Sequence, residues 1–379
     1  MIKRHLEIAL RDHLFKDKTV VLYGARQVGK TTLINEVVKK LDKRTLVLNG
    51  DDADVRALFE NATASGFRPV VSGYGIVIID EAQRIQNAGL GIKIIHDNFN
   101  DIQLIVTGSS SLELAAIIKE PLTGRKHEFF LYPFSFRELA DHSGFLEEKR
   151  DLEQRLIFGS YPDVVNNRGR ETRILKELAS SYLYKDILAI GGIKKPVLLE
   201  KILKALALQV GNEVSYNELA QTCGSDKGTV EKYIDLLEKA YIVFRLPGLN
   251  RNVRSEIKKG KKIYFCDNGI RNAILGNFLP LRSRVDAGAL WENYLVSERI
   301  KLTVNLDERP VSYFWRTTQQ QEIDYIEEIS GEFIAYEFKW NPSKRGSLSK
   351  TFANSYRVKS FSVVTPENYH EFLSEISGL

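Results

Sequence analysis

The sequence predicts an α/β chain whose amino-terminal part is a parallel sheet covered by helices. Three observations carry that expectation. Apolar runs of strand length alternate with helical patterns through the first 135 residues. The run Val20-Val21-Leu22-Tyr23 leads into Gly24-Ala25-Arg26-Gln27-Val28-Gly29-Lys30-Thr31, a G-x-x-x-x-G-K-[ST] phosphate loop in its required setting of strand, loop and helix. Another run, Ile76-Val77-Ile78-Ile79, ends in Asp80-Glu81, as expected of a strand covered on both faces with two acids at its carboxyl end.

Composition sets the outer bounds. A chain of 379 residues is long enough for two or three domains, each with its own core. Its hydrophobic fraction of 43% and charged fraction of 27% are those of an ordinary globular protein. The net charge of +5 is compatible with a nucleic-acid partner without requiring one. Cys223 and Cys266 lie far apart and have no Cys/His companions at zinc spacing, which argues against a disulfide scaffold or a zinc site. No apolar run reaches membrane-spanning length, and the first residues carry charge instead of a signal-type apolar core. A cytoplasmic protein with no membrane partner is expected. Internal repeats and low-complexity tracts are not evident.

Along the chain, residues Met1 to Lys18 read as an amphipathic helix leading to the first strand. In the loop that follows, Gly24 and Gly29 let successive N–H groups turn into one concavity, which suits phosphate. The next helix adds the partial positive charge of its amino terminus. Expected nucleotide contacts are Gly24, Ala25, Arg26, Gln27, Val28, Gly29, Lys30, Thr31 and Thr32. Lys30 would reach the β- and γ-phosphates, and the Thr31 hydroxyl would ligate Mg²⁺. Leu33, Ile34, Val37, Val38 and Leu41 then recur at helical spacing.

A second strand, Arg44–Leu48, ends in the polar turn Asn49-Gly50-Asp51-Asp52, at the sheet edge where ligands collect in open α/β folds. On the third strand, Asp80 is expected to hold Mg²⁺ and Glu81 to polarise the attacking water. Gly89–Phe99 reads as helix. A fourth strand, Ile102–Val106, ends in Thr107-Gly108-Ser109, where either hydroxyl would bond the lytic water or the γ-phosphate. A short helix near Leu112–Ile118, the stretch Leu122-Thr123-Gly124-Arg125 and a fifth strand, Glu128–Leu131, complete the unit.

The order of these motifs resembles a AAA+ ATPase. With Asp80-Glu81-Ala82-Gln83, Leu131-Tyr132-Pro133-Phe134-Ser135-Phe136 and Gly159-Ser160-Tyr161-Pro162, the chain is similar to a large prokaryotic family that joins a AAA+ module to a carboxy-terminal domain of unknown function. The resemblance covers nearly the whole chain. It implies an arginine finger at Arg125, reaching a neighbouring subunit's γ-phosphate in a homo-oligomer, with a local carboxylate as the alternative partner. It also implies a helical lid from Phe136 to Ile190, with Leu183, Tyr184, Ile187 and Leu188 as its apolar stripe. A second sensor arginine is not evident in the later helices, so slow or partner-dependent hydrolysis is expected.

Helical patterns at Leu198–Gln209, Tyr216–Thr222 and Thr229–Ala240, followed by strands Tyr241–Leu246 and Lys262–Phe265, are in winged-helix order. The third helix carries mixed charge, which is poor for phosphate attraction. The hairpin is different: Arg251, Arg254, Lys258, Lys259, Lys261 and Lys262 stand against Glu256 alone and would track a DNA backbone without reading sequence.

Near the carboxyl terminus, Asp286–Lys301 reads as helix, and two strands flank the turn Ser330-Gly331. A two-residue turn puts Asp324 opposite Glu337, and alternation puts Glu337 and Lys339 on one face. Like charges placed opposite one another are destabilising unless something compensates; a divalent cation between them is one compensation and Lys339 is another. The pattern resembles the PD-(D/E)xK nuclease core. That resemblance implies a metal held by Asp324 and Glu337, joined by Glu292, with Lys339 acting on the water.

The expected layout is an ATPase core at 1–135, a lid at 136–195, a winged helix at 196–280 and a nuclease-like domain at 281–379. The expected activity is Mg²⁺-dependent ATP hydrolysis coupled to nucleic-acid binding. An ATP-gated nuclease and a nucleotide-switched scaffold are the alternatives.

Overall fold

The apolar runs of the amino-terminal part form parallel strands in the computed structural model, which describes residues 1–108, 122–183, 195–249, 260–306 and 309–374. Contacts divide the chain into two units. Met1–Tyr132, Lys185–Gly192 and Lys239–Tyr241 form the first, and Pro133–Tyr184, Ile193–Glu238 and Ile242–Leu379 the second.

In the first unit, β1 (Thr19–Gly24), β2 (Thr45–Asn49), β3 (Ile76–Asp80), β4 (Gln103–Gly108) and β5 (Lys126–Leu131) lie in the order β2-β3-β4-β1-β5. All four pairings are parallel. Strands β1, β3 and β4 are buried along their whole length, which is why they read as unbroken apolar runs. The phosphate-loop helix, Lys30–Lys39, buries Leu33, Ile34, Val37 and Val38 against the sheet unit, the stripe its spacing predicts. The expected helix over Met1–Lys18 is shorter, Leu6–Asp12.

Two helices, Ala53–Glu60 and Ala64–Val71, fill the β2-to-β3 connection. They are short, and the second carries Pro69 inside it, so neither gives a long periodic signal. The helix expected near Leu112–Ile118 lies outside the described residues, as do Ser109 and the Tyr184, Ile187 and Leu188 positions of the lid stripe. Nothing is described of the side chain of Leu183.

In the second unit, Ser135 and Glu138 form a capping box that starts the helix Phe136–Ser143. Helices Pro196–Leu208, Tyr216–Cys223 and Lys227–Lys239 then combine with β6 (Glu213–Val214), β7 (Val243–Pro247) and β8 (Lys261–Phe265). These strands form an antiparallel sheet in the order β6-β8-β7. Helix Lys227–Lys239 buries Val230, Tyr233, Ile234 and Leu237, as its pattern requires.

A helix missed in the sequence, Asn268–Leu275, holds a buried polar network. Asp267 caps it through Ile270 N–H at 3.2 Å and accepts from Ser160 N–H at 2.7 Å. A Cβ at Gly159 would come within 2.0 Å of the Asp267 carboxylate. The Gly159-Ser160-Tyr161-Pro162 break is thus the place where this carboxylate docks.

The helix Ala287–Thr303 precedes a sheet of β9 (Val311–Arg316), β10 (Glu322–Ile329), β11 (Glu332–Phe338) and β12 (Val358–Val364), ordered β12-β11-β10-β9. The first three are antiparallel and β12 runs parallel to β11. Ser330 and Gly331 both have positive φ, as a two-residue hairpin turn demands. The β10–β11 pairing runs from Tyr325 opposite Tyr336 to Ile329 opposite Glu332, and Asp324 lies just beyond it, where β10 is irregular against β9. Arg299 and Glu327, both fully buried, join at 2.7 Å and tie the helix to β10.

Candidate nucleotide site and carboxylate cluster

The carboxyl ends of β1, β3 and β4 bring the phosphate loop, Asp80 and Thr107 together. Gly24 ends β1 opposite Leu131 of β5, and a Cβ there would sit 2.3 Å from the Leu131 carbonyl oxygen. Gln27 and Gly29 take left-handed backbone, with φ of 60° and 93°. That curl turns loop amides inward and starts the helix at Lys30.

Lys30 is buried, and its Nζ donates to the carbonyls of Gly24 at 2.8 Å and Ala25 at 2.9 Å. The ammonium is therefore held inside the loop's own curve, where phosphate oxygens would offer it charged acceptors. Thr31 Oγ1 donates to Asp80 Oδ2 at 3.0 Å, and Thr107 Oγ1 donates to Asp80 Oδ1. One carboxylate thus gathers a hydroxyl from the start of the helix Lys30–Lys39 and one from the end of β4. Hard oxygen donors from one or two side chains, completed by phosphate and water, are what Mg²⁺ usually takes. Thr31 and Asp80 fit that requirement.

Glu81 follows with φ of 50°, a left-handed conformation that is uncommon for a side chain with a Cβ. Such strain costs about 1–3 kcal/mol and gathers at functional sites. The turn is braced by Glu81 N–H donating to Asp80 Oδ1 at 3.0 Å, and Gln83 Nε2 donates to Glu81 Oε2 at 2.5 Å. Gln83 belongs to the Asp80-Glu81-Ala82-Gln83 motif, but sequence spacing gives no sign of its contact with the glutamate. Arg4 was missed altogether. It donates to Val28 O at 3.1 Å and Tyr132 O at 2.5 Å, pinning the loop from the chain's start. Arg125 Nε lies 3.3 Å from Asp97 Oδ1, the local carboxylate that was the alternative to a finger role.

The basic hairpin is only partly visible: Arg251, Arg254, Lys258 and Lys259 lie outside the described residues. Lys261 is half-buried, with Nζ 5.8 Å from the centre of the Tyr216 ring. Lys262 corrects the expectation. Its side chain is 1% exposed and its Nζ reaches Glu292 Oε1 at 2.9 Å and Glu322 Oε1 at 2.7 Å, so it offers nothing to a phosphate backbone. Successive residues on a strand point to opposite faces, and β8 turns Lys262 inward.

The expected metal ligands fare similarly. Glu292 Oε1 also accepts from Tyr264 Oη at 2.6 Å. Glu337 Oε1 pairs with Lys339 Nζ at 2.6 Å, and its other oxygen lies against Gly346. Asp324 Oδ2 accepts from Phe338 N–H at 2.7 Å. Among the described residues, no group of three His, Cys, Asp or Glu side chains is placed to hold a metal ion. Asp324, Glu337 and Glu292 therefore do not fit a divalent cation as arranged, because lysines already answer Glu337 and Glu292.

Burial, followed by the charge of Glu292, pushes the Asp324 carboxyl up to about 7; Lys262 and the Phe338 N–H act in the opposite direction. Burial alone would favour loss of the Lys262 proton, but Glu292, Asp324 and Glu322 outweigh it and hold this ammonium above the usual lysine range. Glu322 was overlooked in the sequence, although alternation along β10 places it on the Asp324 face.

Comparison with known proteins gives three matches along the chain. The family described as "AAA domain" matches residues 16–140, a domain of unknown function (DUF8612) matches 149–280, and another (DUF4143) matches 287–377. An uncharacterized protein of Mycobacterium tuberculosis is 26% identical over 342 residues, spanning 89% of this chain and 74% of that one. One from Haemophilus influenzae is 25% identical over 398 residues, spanning 96% and 93%. Among solved structures, the RuvB Holliday junction branch migration motor of Thermotoga maritima aligns over 68% of this chain and 95% of that one, at 17% identity and a TM-score of 0.30. The Pif1 helicase of Candida albicans aligns over 47% and 48%, at 14% identity and a TM-score of 0.29. Among the described residues, no helix is long and apolar enough to cross a membrane.

Proposed function

We propose that this chain, which joins a AAA domain to a carboxy-terminal domain of unknown function, is a Mg²⁺-dependent ATPase that hydrolyses ATP to ADP and phosphate. The observation that carries the reading is the convergence on Asp80: Thr31 from the phosphate loop on one carboxylate oxygen and Thr107 from β4 on the other. Three elements that meet over one carboxylate beside a buried loop lysine suit a triphosphate and its cation.

In this reading the amides of Gly24–Thr31, with Thr32 on the first helical turn, surround the phosphates. Lys30 exchanges two neutral carbonyls for phosphate oxygens. Thr31 and Asp80 would hold Mg²⁺, which when bound would neutralise the charge that develops on the phosphates. Glu81 orients the attacking water and accepts its proton, and Gln83 sets the carboxylate's direction. Thr107 steadies Asp80, with Ser109 as the other hydroxyl assigned to this edge. Arg125 serves a neighbouring subunit's γ-phosphate in a homo-oligomer. Lys30→Ala is expected to abolish nucleotide binding, and Glu81→Gln to keep binding while losing turnover. Equal hydrolysis by wild type and Glu81→Gln would sink these roles.

We divide the chain into a core at 1–135, a lid at 136–195, a winged helix at 196–280 and a nuclease-like domain at 281–379. The order helix, strand, helix, helix, strand, strand over residues 196–265 supports the winged helix. Nucleotide state is then coupled to DNA through Arg251, Arg254, Lys258, Lys259 and Lys261, without Lys262. DNA binding that weakens with salt and is lost on neutralising these five residues tests the coupling. Unchanged binding refutes it.

A further inference from the structure

The carboxy-terminal domain carries an acidic cluster that resembles a metal centre but holds a lysine. We infer that Lys262 is the resident cation of this cluster: its ammonium, delivered by β8, stands where a divalent ion would stand and keeps such an ion out.

Four observations converge. The Lys262 side chain is 1% exposed, so its charge is withdrawn from water and must be answered by protein. It is answered twice, by Glu292 at 2.9 Å from the helix Ala287–Thr303 and by Glu322 at 2.7 Å from β10. Asp324 shares the Glu322 face of its strand, and the ring of Phe314 on β9 lies 5.5 Å from Nζ. Tyr264, two residues along β8, adds its hydroxyl to Glu292 at 2.6 Å. Strand β8 therefore supplies both the cation and a neutral donor to one carboxylate.

The remaining acid of the nuclease-like pattern is answered separately, because Lys339 takes Glu337 at 2.6 Å. Competition follows from this geometry. A tethered ammonium acts at a high effective concentration, and Mg²⁺ sheds its water reluctantly. To bind, a divalent ion would have to displace Lys262 and leave that ammonium buried without its acids. Seating of the β7–β8 hairpin and metal occupancy are thus mutually exclusive. The acids act as a socket for β8, with Lys262 as the charge that fills it.

Mn²⁺ binding to the full chain tests this. Equilibrium dialysis without nucleotide would compare wild type, Glu292→Gln, Lys262→Met and Lys262→Arg. The inference predicts that wild type and Glu292→Gln bind the same number of Mn²⁺ ions. Lys262→Met should gain one equivalent, bound at least tenfold tighter than any Mn²⁺ at this cluster in wild type, and Lys262→Arg should not. A wild-type Mn²⁺ ion that disappears in Glu292→Gln overturns the inference, and so does a folded Lys262→Met protein that gains none. Should Lys262→Met fail to fold, wild type against Glu292→Gln still decides.

Discussion

Asp324→Asn should stabilise the carboxy-terminal domain in a pH-dependent way. The Asp324 carboxyl has an ordinary pKa of 3.8 and is raised to about 7 in the folded protein, first by burial and then by Glu292. Lys262 and the Phe338 N–H lower it, and Glu322 adds to the rise. Lys339 also faces this carboxyl. The folded state therefore binds the proton more tightly than the unfolded chain does. Below about pH 4 the carboxyl is neutral in both states, and its contribution is fully present. Between about pH 4 and about pH 7 the unfolded chain ionises while the folded one holds its proton. Stability then falls by about 1.4 kcal/mol per pH unit, or about 4 kcal/mol in all, and the loss is complete above about pH 7.

Asparagine removes the titration and keeps an oxygen to accept from Phe338 N–H. Trp291, Trp315 and Trp340 are the chain's three tryptophans and all lie beyond residue 286, so their fluorescence reports urea unfolding of this part. The variant should match wild type near about pH 4.5 and exceed it by up to about 4 kcal/mol near about pH 8. A variant less stable than wild type at both pH values, or shifted equally at both, would refute the reasoning.

Three further outcomes follow from the geometry. Gly24→Ala places a Cβ 2.3 Å from the Leu131 carbonyl oxygen, a backbone atom that cannot swing away; a loss of about 1–3 kcal/mol and weakened ATP binding are expected in thermal melts and titrations, and wild-type values in both would contradict it. Arg299→Met leaves the fully buried Glu327 without its cationic partner, with the Tyr325 hydroxyl at 3.3 Å remaining, costing about 3–5 kcal/mol, while Arg299→Met with Glu327→Leu recovers most of it in urea titrations; equal costs for the single and double variants would be the contrary result. Arg125→Ala should leave ATP affinity unchanged and lower turnover per subunit at high protein concentration, whereas turnover independent of both concentration and Arg125 would remove its role in trans.

Much of the first unit was legible because its chemistry is local. The phosphate loop needs two glycines, a lysine and a threonine at fixed spacing, and Asp80-Glu81 closes an apolar run. The hairpin turn at Ser330-Gly331 was equally local, and counting from a two-residue turn gives the pairing of Ile329 with Glu332 and of Tyr325 with Tyr336. What could not be read is partnership across long separations. Lys262 looked like one of several surface cations in a basic run, and only folding brings it to Glu292 and Glu322, 30 and 60 positions away. Glu322 showed no sign of interest apart from its alternation with Asp324. Arg4 reaches Val28 and Tyr132 by the same kind of long-range closure. Asp267 and Asn272 could have been flagged as polar residues in an otherwise buried stretch; Asp267 caps a helix, and Asn272 donates to Leu156 and Ile157 carbonyls.

The most direct test of the central claim is phosphate release from ATP with and without Mg²⁺, measured beside nucleotide binding in wild type, Lys30→Ala and Glu81→Gln. Mg²⁺-dependent release by wild type, no binding by Lys30→Ala, and binding without release by Glu81→Gln is the predicted set. Wild-type protein that binds no nucleotide, or Lys30→Ala that binds and hydrolyses ATP as wild type does, would contradict it.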